Sequence, residues 1–180
     1  MLKRITLLTL ALILSGCGFH LRDQSDLPPE LTKLYVGTKL NDPFLTNGIQ
    51  QALLKSKVTL ADNLTAAPYS IEILQSQLSR QFINLSSNAQ TRSYELTLRV
   101  QYQLQDHSGK ALLPPQTVVS QRPWLYNFNQ VQGSASEGDT IIQEMYPDIG
   151  KQIVERLEAV NTKQALAAHH QIKFRNNTLT

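Results

Sequence analysis

The residues around the single cysteine, Cys17, indicate that this cysteine is chemically modified. Small residues precede it in the segment Leu14–Gly16, which matches the lipobox pattern of lipoprotein precursors. Lys3 and Arg4 are followed by an apolar run of about ten residues, which is half the length of a membrane-spanning helix. This arrangement predicts a signal peptide over residues 1–16 that is cleaved before Cys17. We expect the cysteine to carry an S-diacylglycerol and an N-palmitoyl group.

Acylation at this position would decide where the protein resides. Each buried methylene contributes about 0.8 kcal/mol, so two or three chains on Cys17 would hold the protein on a membrane. Gly18 stands where an aspartate would signal retention in the inner membrane, and the expected location is therefore the outer membrane. The alternative is a buried, inert cysteine at the end of a hydrophobic helix. Because the chain has one cysteine, acylation leaves no thiol for a disulfide.

Other residue types that support catalysis or bind metals do not form a recognisable site. The sequence contains no G-x-S-x-G elbow, no phosphate-binding glycine loop and no H-E-x-x-H motif. Glu144 and Asp148, one helical turn apart, indicate a solvated helix face. The four histidines fall in segments predicted as tether, turn and tail: His20, His107, His169 and His170. The sequence therefore predicts a protein that is not an enzyme and has no metal site and no cofactor.

Charge gives no reason to expect a nucleic-acid partner. The 180 residues carry 17 basic and 14 acidic side chains, with a formal net charge of +3. Removal of residues 1–16 takes away two of the basic side chains, Lys3 and Arg4, and leaves the two signs nearly balanced. A nearly neutral domain does not attract the phosphate backbone of nucleic acid.

Periodicity predicts the elements of the first third of the chain. Residues 17–31 are predicted to form a tether between a lipid and a domain, because Asp23–Leu31 is polar with paired prolines. Leu34–Val36 reads as a short strand, and a helix is predicted over 43–56 because Asp42 and Pro43 suit a helix start. Val58–Leu60 is a candidate for a further brief strand.

The centre of the chain is strand-like. Apolar and polar residues alternate over 94–104, which predicts one long strand with one buried face. Residues 69–85 also alternate, but with a change of phase that a β-bulge would produce. The polar connection 84–92 predicts an antiparallel hairpin between these strands. A third strand is predicted over 117–128, and its Pro123 favours the edge of a sheet.

The last part of the chain predicts a long helix. After a polar loop at 129–138, apolar residues recur every three or four positions from Ile141 to Val160. Pro147 lies inside this stripe and predicts either a kink or a broken first turn. Residues 164–180 are expected to form a flexible tail. The fold class is therefore α+β: a two-layer α/β sandwich over 32–163, with two helices packed on one face of a mostly antiparallel four-stranded sheet.

Two predicted surfaces leave alternatives open. Trp124, Tyr126 and Phe128 share one face of the third strand, where they either pack beneath the helices or form a partly exposed rim that meets a partner. The opposite face of the sheet carries neutral hydrogen-bonding groups, which indicate either an ordinary wet surface or one enclosed by another protein. Its residues are Gln75, Gln77, Thr97, Gln101, Gln103 and Gln105.

Residues 17–22, C-G-F-H-L-R, resemble the start of the mature LptE family, the lipopolysaccharide-assembly lipoproteins of Gram-negative outer membranes. The segment Ile141–Tyr146 is similar to an apolar-acidic-Met-Tyr segment of that family. Gln90-Thr91 together with Tyr94 is a third, weaker similarity. The order of elements and the length agree as well, so the resemblance extends over nearly all of the mature chain.

The resemblance implies a non-catalytic plug in a 1:1 complex inside the LptD β-barrel. Such a protein would be lipid-anchored to the outer membrane, with its domain on the periplasmic side and within the barrel lumen. It would assist barrel assembly and help insert lipopolysaccharide into the outer leaflet. The alternatives are a pilotin-like assembly lipoprotein for another outer-membrane complex and a periplasmic cell-wall-binding lipoprotein.

The family resemblance also implies that basic residues near one end of the sandwich bind lipopolysaccharide. Arg80, Arg92 and Lys110 are the candidates here, because guanidinium and ammonium groups bind phosphate oxygens. Ser87 and Ser134 stand at positions that the family pattern expects to be basic.

Overall fold

The computed structural model describes residues 27–38, 40, 42–85, 91–159, 162–164 and 166–168. Its strands and α-helices are, in chain order, β1 (Lys33–Thr38), α1 (Pro43–Lys55), β2 (Thr59–Leu60), β3 (Tyr69–Leu85), β4 (Thr91–Asp106), β5 (Gln116–Asn127) and α2 (Val131–Leu157). Short 3₁₀ helices occur at Pro29–Leu31, Leu64–Ala66 and Phe128–Gln130, and residues 162–164 and 166–168 are also helical.

The strands form one mixed sheet in the order β2-β1-β3-β4-β5. β1 is parallel to β2 and β3, whereas β3 and β4, and β4 and β5, are antiparallel. The prediction of an α+β fold with helices on a sheet is confirmed, but the prediction of four strands is wrong. The additional strand β2 pairs with β1 through Lys33↔Thr59 and Leu34↔Leu60. Two residues are too few to show a periodicity, which is why β2 was only a candidate.

The hydrophobic core lies between the sheet and the two helices. Alternate residues of β4 from Leu96 to Leu104 are buried, as the pattern predicted. They belong to the same cluster as Met145, Ile149 and Ile153 of α2, which are fully buried. The periodicities of strand and helix therefore each mark the face that turns toward this core.

Irregularities in the outer strands agree with the sequence. The register of β3 against β4 shifts between Ile73 and Gln75, which confirms the predicted bulge, and shifts again between Phe82 and Asn84. β5 forms one edge of the sheet, so Pro123 lies on an edge strand as expected.

The starts of the two helices differ in how well the sequence indicates them. The Asp42 carboxylate accepts a hydrogen bond from the Leu45 amide at 3.0 Å, which confirms the predicted start of α1. α2 begins at Val131, so the prediction of a loop over 129–138 is wrong for residues 131–138. The helix also continues through Pro147.

The core extends past both boundaries predicted for the domain. Leu31 is fully buried in it, although the tether was expected to reach residue 31. Leu166 is buried too, although a flexible tail was expected from residue 164. Both are large apolar side chains, and their burial stabilises the packing of the flanking segments against the domain. The signal peptide, Cys17 and the residues from 169 onward lie outside the described part of the chain.

Candidate functional site

The structure places the three candidate phosphate-binding residues at two different ends of the sheet. Arg80 and Arg92 lie where β3 passes to β4, which we call the hairpin end. Lys110 lies in the turn between β4 and β5, at the opposite end, which we call the turn end. Fourteen residues of strand separate Arg92 from Asp106, a span of roughly 45 Å. Lys110 therefore cannot share a ligand headgroup with the two arginines.

Sheet register puts both arginines on the helix-facing side. Arg80 pairs with Leu96, whose side chain is buried in the core. Arg92 pairs with Tyr126 on β5. Both arginine side chains are nevertheless exposed.

The hairpin end is exposed because part of β3 lacks a helix above it. α1 contacts α2, β1 and β2, and α2 contacts β5 and β4. Leu78 and Phe82 of β3 pair with Leu98 and Tyr94, so they lie on the helix-facing side, yet they are 44% and 53% exposed. These two side chains thus form an exposed apolar surface next to the two arginines.

A row of aromatic rings crosses the sheet at this end. Neighbouring ring centroids are 5.3–5.9 Å apart; three of the four contacts are edge-on, as aromatic pairs prefer, and the fourth is tilted. The row is Phe82, Tyr94, Trp124, Tyr126 and Phe128. Of the alternatives for the β5 aromatics, Trp124 is buried, whereas Phe128 is 39% exposed and forms part of a rim.

Both guanidinium groups stack on this row. Arg80 lies 4.4 Å from the ring centroid of Trp124 and 5.8 Å from that of Tyr94. Arg92 lies 4.8 Å from the ring centroid of Phe128. Among the described residues no carboxylate forms an ion pair with either arginine. A stacked guanidinium keeps its in-plane N–H groups available, and these are the groups that bind phosphate or carboxylate oxygens. We call these two arginines and the five rings the arginine–aromatic cluster.

Ser134, at a position where the family pattern expects a basic residue, is buried and serves the fold. Its backbone carbonyl accepts a hydrogen bond from Trp124 Nε1 at 2.9 Å. Its hydroxyl accepts a hydrogen bond from the Asn127 amide at 3.0 Å. These bonds tie the first turns of α2 to the end of β5. Ser87, at the other such position, lies outside the described residues.

The opposite face of the sheet is polar and carries little charge. Gln75 of β3 lies beside Gln101 of β4, and Gln77 lies beside Arg99. The Gln105 amide donates a hydrogen bond to the side-chain oxygen of Gln103, and the Gln103 amide donates one to the Leu113 carbonyl between β4 and β5. Thr97, Gln101, Gln103 and Gln105 alternate with the buried residues of β4, as predicted. We call this surface the amide face.

Features that usually mark an active site are scarce in the described residues. The resolved pKa shifts all belong to tyrosines, and burial is the main cause of each. Burial raises the pKa values of Tyr69 and Tyr146, and it raises the pKa of Tyr102 to about 12. Asp148, one of the two predicted solvated acids, instead forms an ion pair with Arg122. No group of three potential metal ligands occurs in this part of the chain.

Two further surfaces complete the description. An open groove of about 890 Å³ lies between α1 and α2, and its rim includes Phe44, Lys55 and Lys151. Lys151 lies 3.9 Å from Glu155 across one helical turn, so part of its charge is balanced. None of the helices in the described residues combines the length and the apolar composition that a membrane crossing requires.

Comparison with known proteins identifies the family. A model of the family described as "LptE: Lipopolysaccharide-assembly" matches residues 31–157. The LPS-assembly lipoprotein LptE of Yersinia enterocolitica is 30% identical over 170 residues, which are 91% of this chain and 80% of that protein. Its counterpart in Pectobacterium atrosepticum is 29% identical over 156 residues, which are 85% and 83% of the two chains.

Solved structures share the fold at lower identity. A minor lipoprotein from Acinetobacter baumannii superposes with a TM-score of 0.61 at 21% identity, over 71% of this chain and 91% of that one. The rare lipoprotein B from Shewanella oneidensis gives a TM-score of 0.54 at 16% identity, over 78% and 98%. The family match covers every strand and both long helices, and the chain therefore belongs to the LptE family of lipopolysaccharide-assembly proteins.

Proposed function

We propose that this protein is a non-catalytic subunit of the outer-membrane machine that assembles lipopolysaccharide. In this role it occupies the lumen of an LptD-like β-barrel as a 1:1 plug, assists the assembly of that barrel and helps insert lipopolysaccharide into the outer leaflet. The observation that carries the proposal is the family match over residues 31–157, which spans the folded domain from Leu31 in the core to the end of α2.

The amide face supports a position inside a barrel. The interiors of large membrane barrels are polar and hydrated. Neutral amides such as Gln75 and Gln101 exchange water for partner groups at a lower cost than charged side chains do. A sheet face that carries few charges therefore suits contact with a wet barrel wall.

The position at which the chain enters the sheet supports one orientation of the domain relative to the membrane. β1 begins beside Tyr69, and Tyr69 lies beside Asp106, so the chain reaches the sheet at the turn end. Between Cys17 and Leu27 the chain spans at most about 35 Å. With Cys17 acylated, the turn end would lie near the anchored leaflet, and the arginine–aromatic cluster would lie at the far end of the domain.

The cluster is our candidate for lipopolysaccharide binding. Arg80 and Arg92, which form no ion pair with a carboxylate of the described residues, offer N–H groups to phosphates, and the exposed Leu78 and Phe82 offer apolar surface to acyl chains. Lys110 is not part of this candidate site, because it lies at the turn end of the sheet.

The test of the proposed function is depletion of the protein in its own host. We expect the LptD-like barrel to be misassembled on semi-native gels and surface lipopolysaccharide to be scarce, with other barrels unaffected. Normal assembly of the barrel after depletion would contradict the proposal. A pull-down with the tagged mature domain provides the positive counterpart, because it should recover a large barrel and neither a secretin nor cell-wall fragments.

The anchor has a separate test. A Cys17→Ala variant should accumulate as an unprocessed precursor and should incorporate no labelled palmitate, because the acceptor sulfur and the cleavage site are both lost. A Ser15→Ala variant keeps a small residue before the cysteine and serves as the matched control. Palmitate labelling of Cys17→Ala at the level of the wild-type protein would refute the anchor.

A further inference from the structure

The indole of Trp124 is held from several sides. Its Nε1–H group donates to the carbonyl oxygen of Ser134 at 2.9 Å. A Cβ atom built on Gly138 would lie 2.9 Å from the indole Cε2 atom, so α2 approaches the ring as closely as a glycine allows. Arg80 covers the indole with its guanidinium carbon 4.4 Å from the ring centroid. The ring therefore connects the first turns of α2 to a cation on β3.

The contact between Arg80 and Trp124 reaches across a strand. β3 and β5 are not neighbours in the sheet, because β4 lies between them. The side chain of Arg80 extends past Tyr94 to reach the indole. A long arginine side chain with no carboxylate partner in the described part of the chain would otherwise sample many rotamers, and the indole face restricts it because cations are attracted to that face.

Sheet register places Arg80 on the same face as Arg92, and this restriction holds its guanidinium group on the aromatic row on which Arg92 also stacks, at Phe128. A fixed pair of guanidinium groups loses less rotamer freedom when it binds an oxyanion. The effect of the indole is thus exerted on a ligand through Arg80, because Trp124 itself is buried.

We propose that Trp124, Ser134 and Gly138 are positioning residues that orient Arg80 for the phosphate groups of a lipopolysaccharide ligand. This inference rests on the proposed binding role of Arg80 and Arg92 and adds the residues that hold one of them in place. The backbone carbonyl of residue 134 anchors the indole, and the burial of this position accounts for a small side chain there in place of a basic one.

The first experiment needs no ligand, because Trp124 is the single tryptophan of the chain. Acrylamide quenching of its fluorescence in the mature protein reports how well the ring is covered. Arg80→Ala and Gly138→Ala should raise the quenching constant, the first by uncovering the ring and the second by displacing it. Arg99→Ala, on the amide face, and Gly133→Ala, where an added Cβ meets no atom within 4 Å, are the matched controls. An unchanged quenching constant in Arg80→Ala would overturn the inference.

The second experiment is a double-mutant cycle read by titration calorimetry with purified lipopolysaccharide in detergent. Arg80→Ala should weaken binding about tenfold, as loss of a hydrogen bond to a charged group does. Trp124→Phe should weaken it about threefold in the wild-type background, within the range of a cation–π contact. If the indole acts through Arg80, Trp124→Phe should have no further effect in the Arg80→Ala background.

The outcomes separate the two proposals. Wild-type binding that Arg80→Ala does not weaken would contradict the proposed binding site and the inference with it. Binding that Arg80→Ala weakens, but that Trp124→Phe weakens equally with and without Arg80, would leave the binding site intact and reduce Trp124 to a structural role. Lipopolysaccharide stripped of phosphate should bind wild type and Arg80→Ala alike. A remaining difference between the two would contradict phosphate as the group that Arg80 contacts.

Discussion

The arginines of the sheet differ in what surrounds their guanidinium groups. Arg122 forms an ion pair with Asp148 of α2 and is half exposed, so it contributes about 1 kcal/mol or less to stability. Arg99 projects from the amide face toward solvent. Arg80 and Arg92 lie on aromatic rings. Residue type alone therefore does not mark a binding cation, and its neighbours across the sheet decide the role.

Tyr102 should make the fold sensitive to alkali. Burial raises the pKa of its phenol to about 12, with a smaller opposing effect from Arg156. In the unfolded chain the same phenol loses its proton near pH 10, so the unfolded state binds fewer protons between pH 10 and 12. Stability should therefore fall over this range, with this residue contributing roughly 1.4 kcal/mol per pH unit.

The measurement is the free energy of unfolding in urea at pH 8, 10 and 11.5 for the wild-type protein and Tyr102→Phe. The variant should lose less stability above pH 10 than the wild-type protein does. Tyr126→Phe, a partly exposed tyrosine of the cluster, is the control. Equal losses in the wild-type protein and Tyr102→Phe would contradict the assignment.

At the scale of elements, the two helices meet at a pair of glycines. A Cβ atom on Gly150 would lie 2.5 Å from the Gly48 carbonyl oxygen and 2.8 Å from the Ala52 Cβ atom. Gly150→Ala should therefore force the helices apart and destabilise the fold by about 1–3 kcal/mol. Gly133→Ala on the same helix meets no atom within 4 Å and should stabilise by about 0.5–1 kcal/mol.

Urea midpoints of the two glycine variants provide the comparison. Opposite signs are expected, because both substitutions raise helix propensity and only one meets packed backbone. A gain in stability from Gly150→Ala would show that the helices can separate without loss and would refute the close crossing.

Strand β5 is an edge strand in which some of the unpaired backbone groups are removed or hydrogen-bonded. Pro123 removes one backbone donor from this edge strand. Gln152 of α2 donates a hydrogen bond to the carbonyl oxygen of Val119 at 2.9 Å. The Arg122–Asp148 ion pair joins the same two elements. Side chains of α2 thus hold the helix against the edge strand and satisfy one of its carbonyl groups.

The sequence indicated some of these elements better than others. The alternation from Tyr94 to Leu104 predicted β4, and Asp42 with Pro43 predicted the start of α1. The first turns of α2 were missed because Gly133 and Gly138 are poor helix formers, and their conformation depends on packing against the end of β5. In such cases tertiary contacts override local propensity.

The candidate site could be predicted in part. The resemblance pointed to Arg80 and Arg92, but it grouped them with Lys110, although the strand predicted over 94–104 already separates Lys110 from Arg92. The stacking of Arg80 on Trp124 was not predictable. It depends on the register of three strands, and that register is shifted by bulges in β3.

At the scale of the whole molecule, the two sides of the sheet have different roles. The helices pack on one side, and the contact that we propose with the barrel is on the other side, at the amide face. Gln75→Glu with Thr117→Glu places two charges about 10 Å apart on that face, two strands from each other. The added charges would have to be desolvated against the barrel wall, so co-purification of the barrel should fall.

The matched control carries the same charges on the helix layer, as Thr140→Glu with Gln143→Glu on exposed positions of α2. Both double variants should unfold at urea concentrations close to that of the wild-type protein. Equal recovery of the barrel by the two double variants would contradict the assignment of the amide face as the contact surface.

The parallel pairing of β1 with β3 has a consequence for the order of events during folding. β3, β4 and β5 pair as successive hairpins, so their contacts close short loops, whereas α1 and β2 lie between β1 and its partner β3. Contacts between distant residues form more slowly because more chain entropy is lost first. We therefore expect the hairpins to form early and β1 to dock late. With Cys17 acylated as proposed, the segment nearest the lipid would leave the export channel first and would be the last to dock on the sheet.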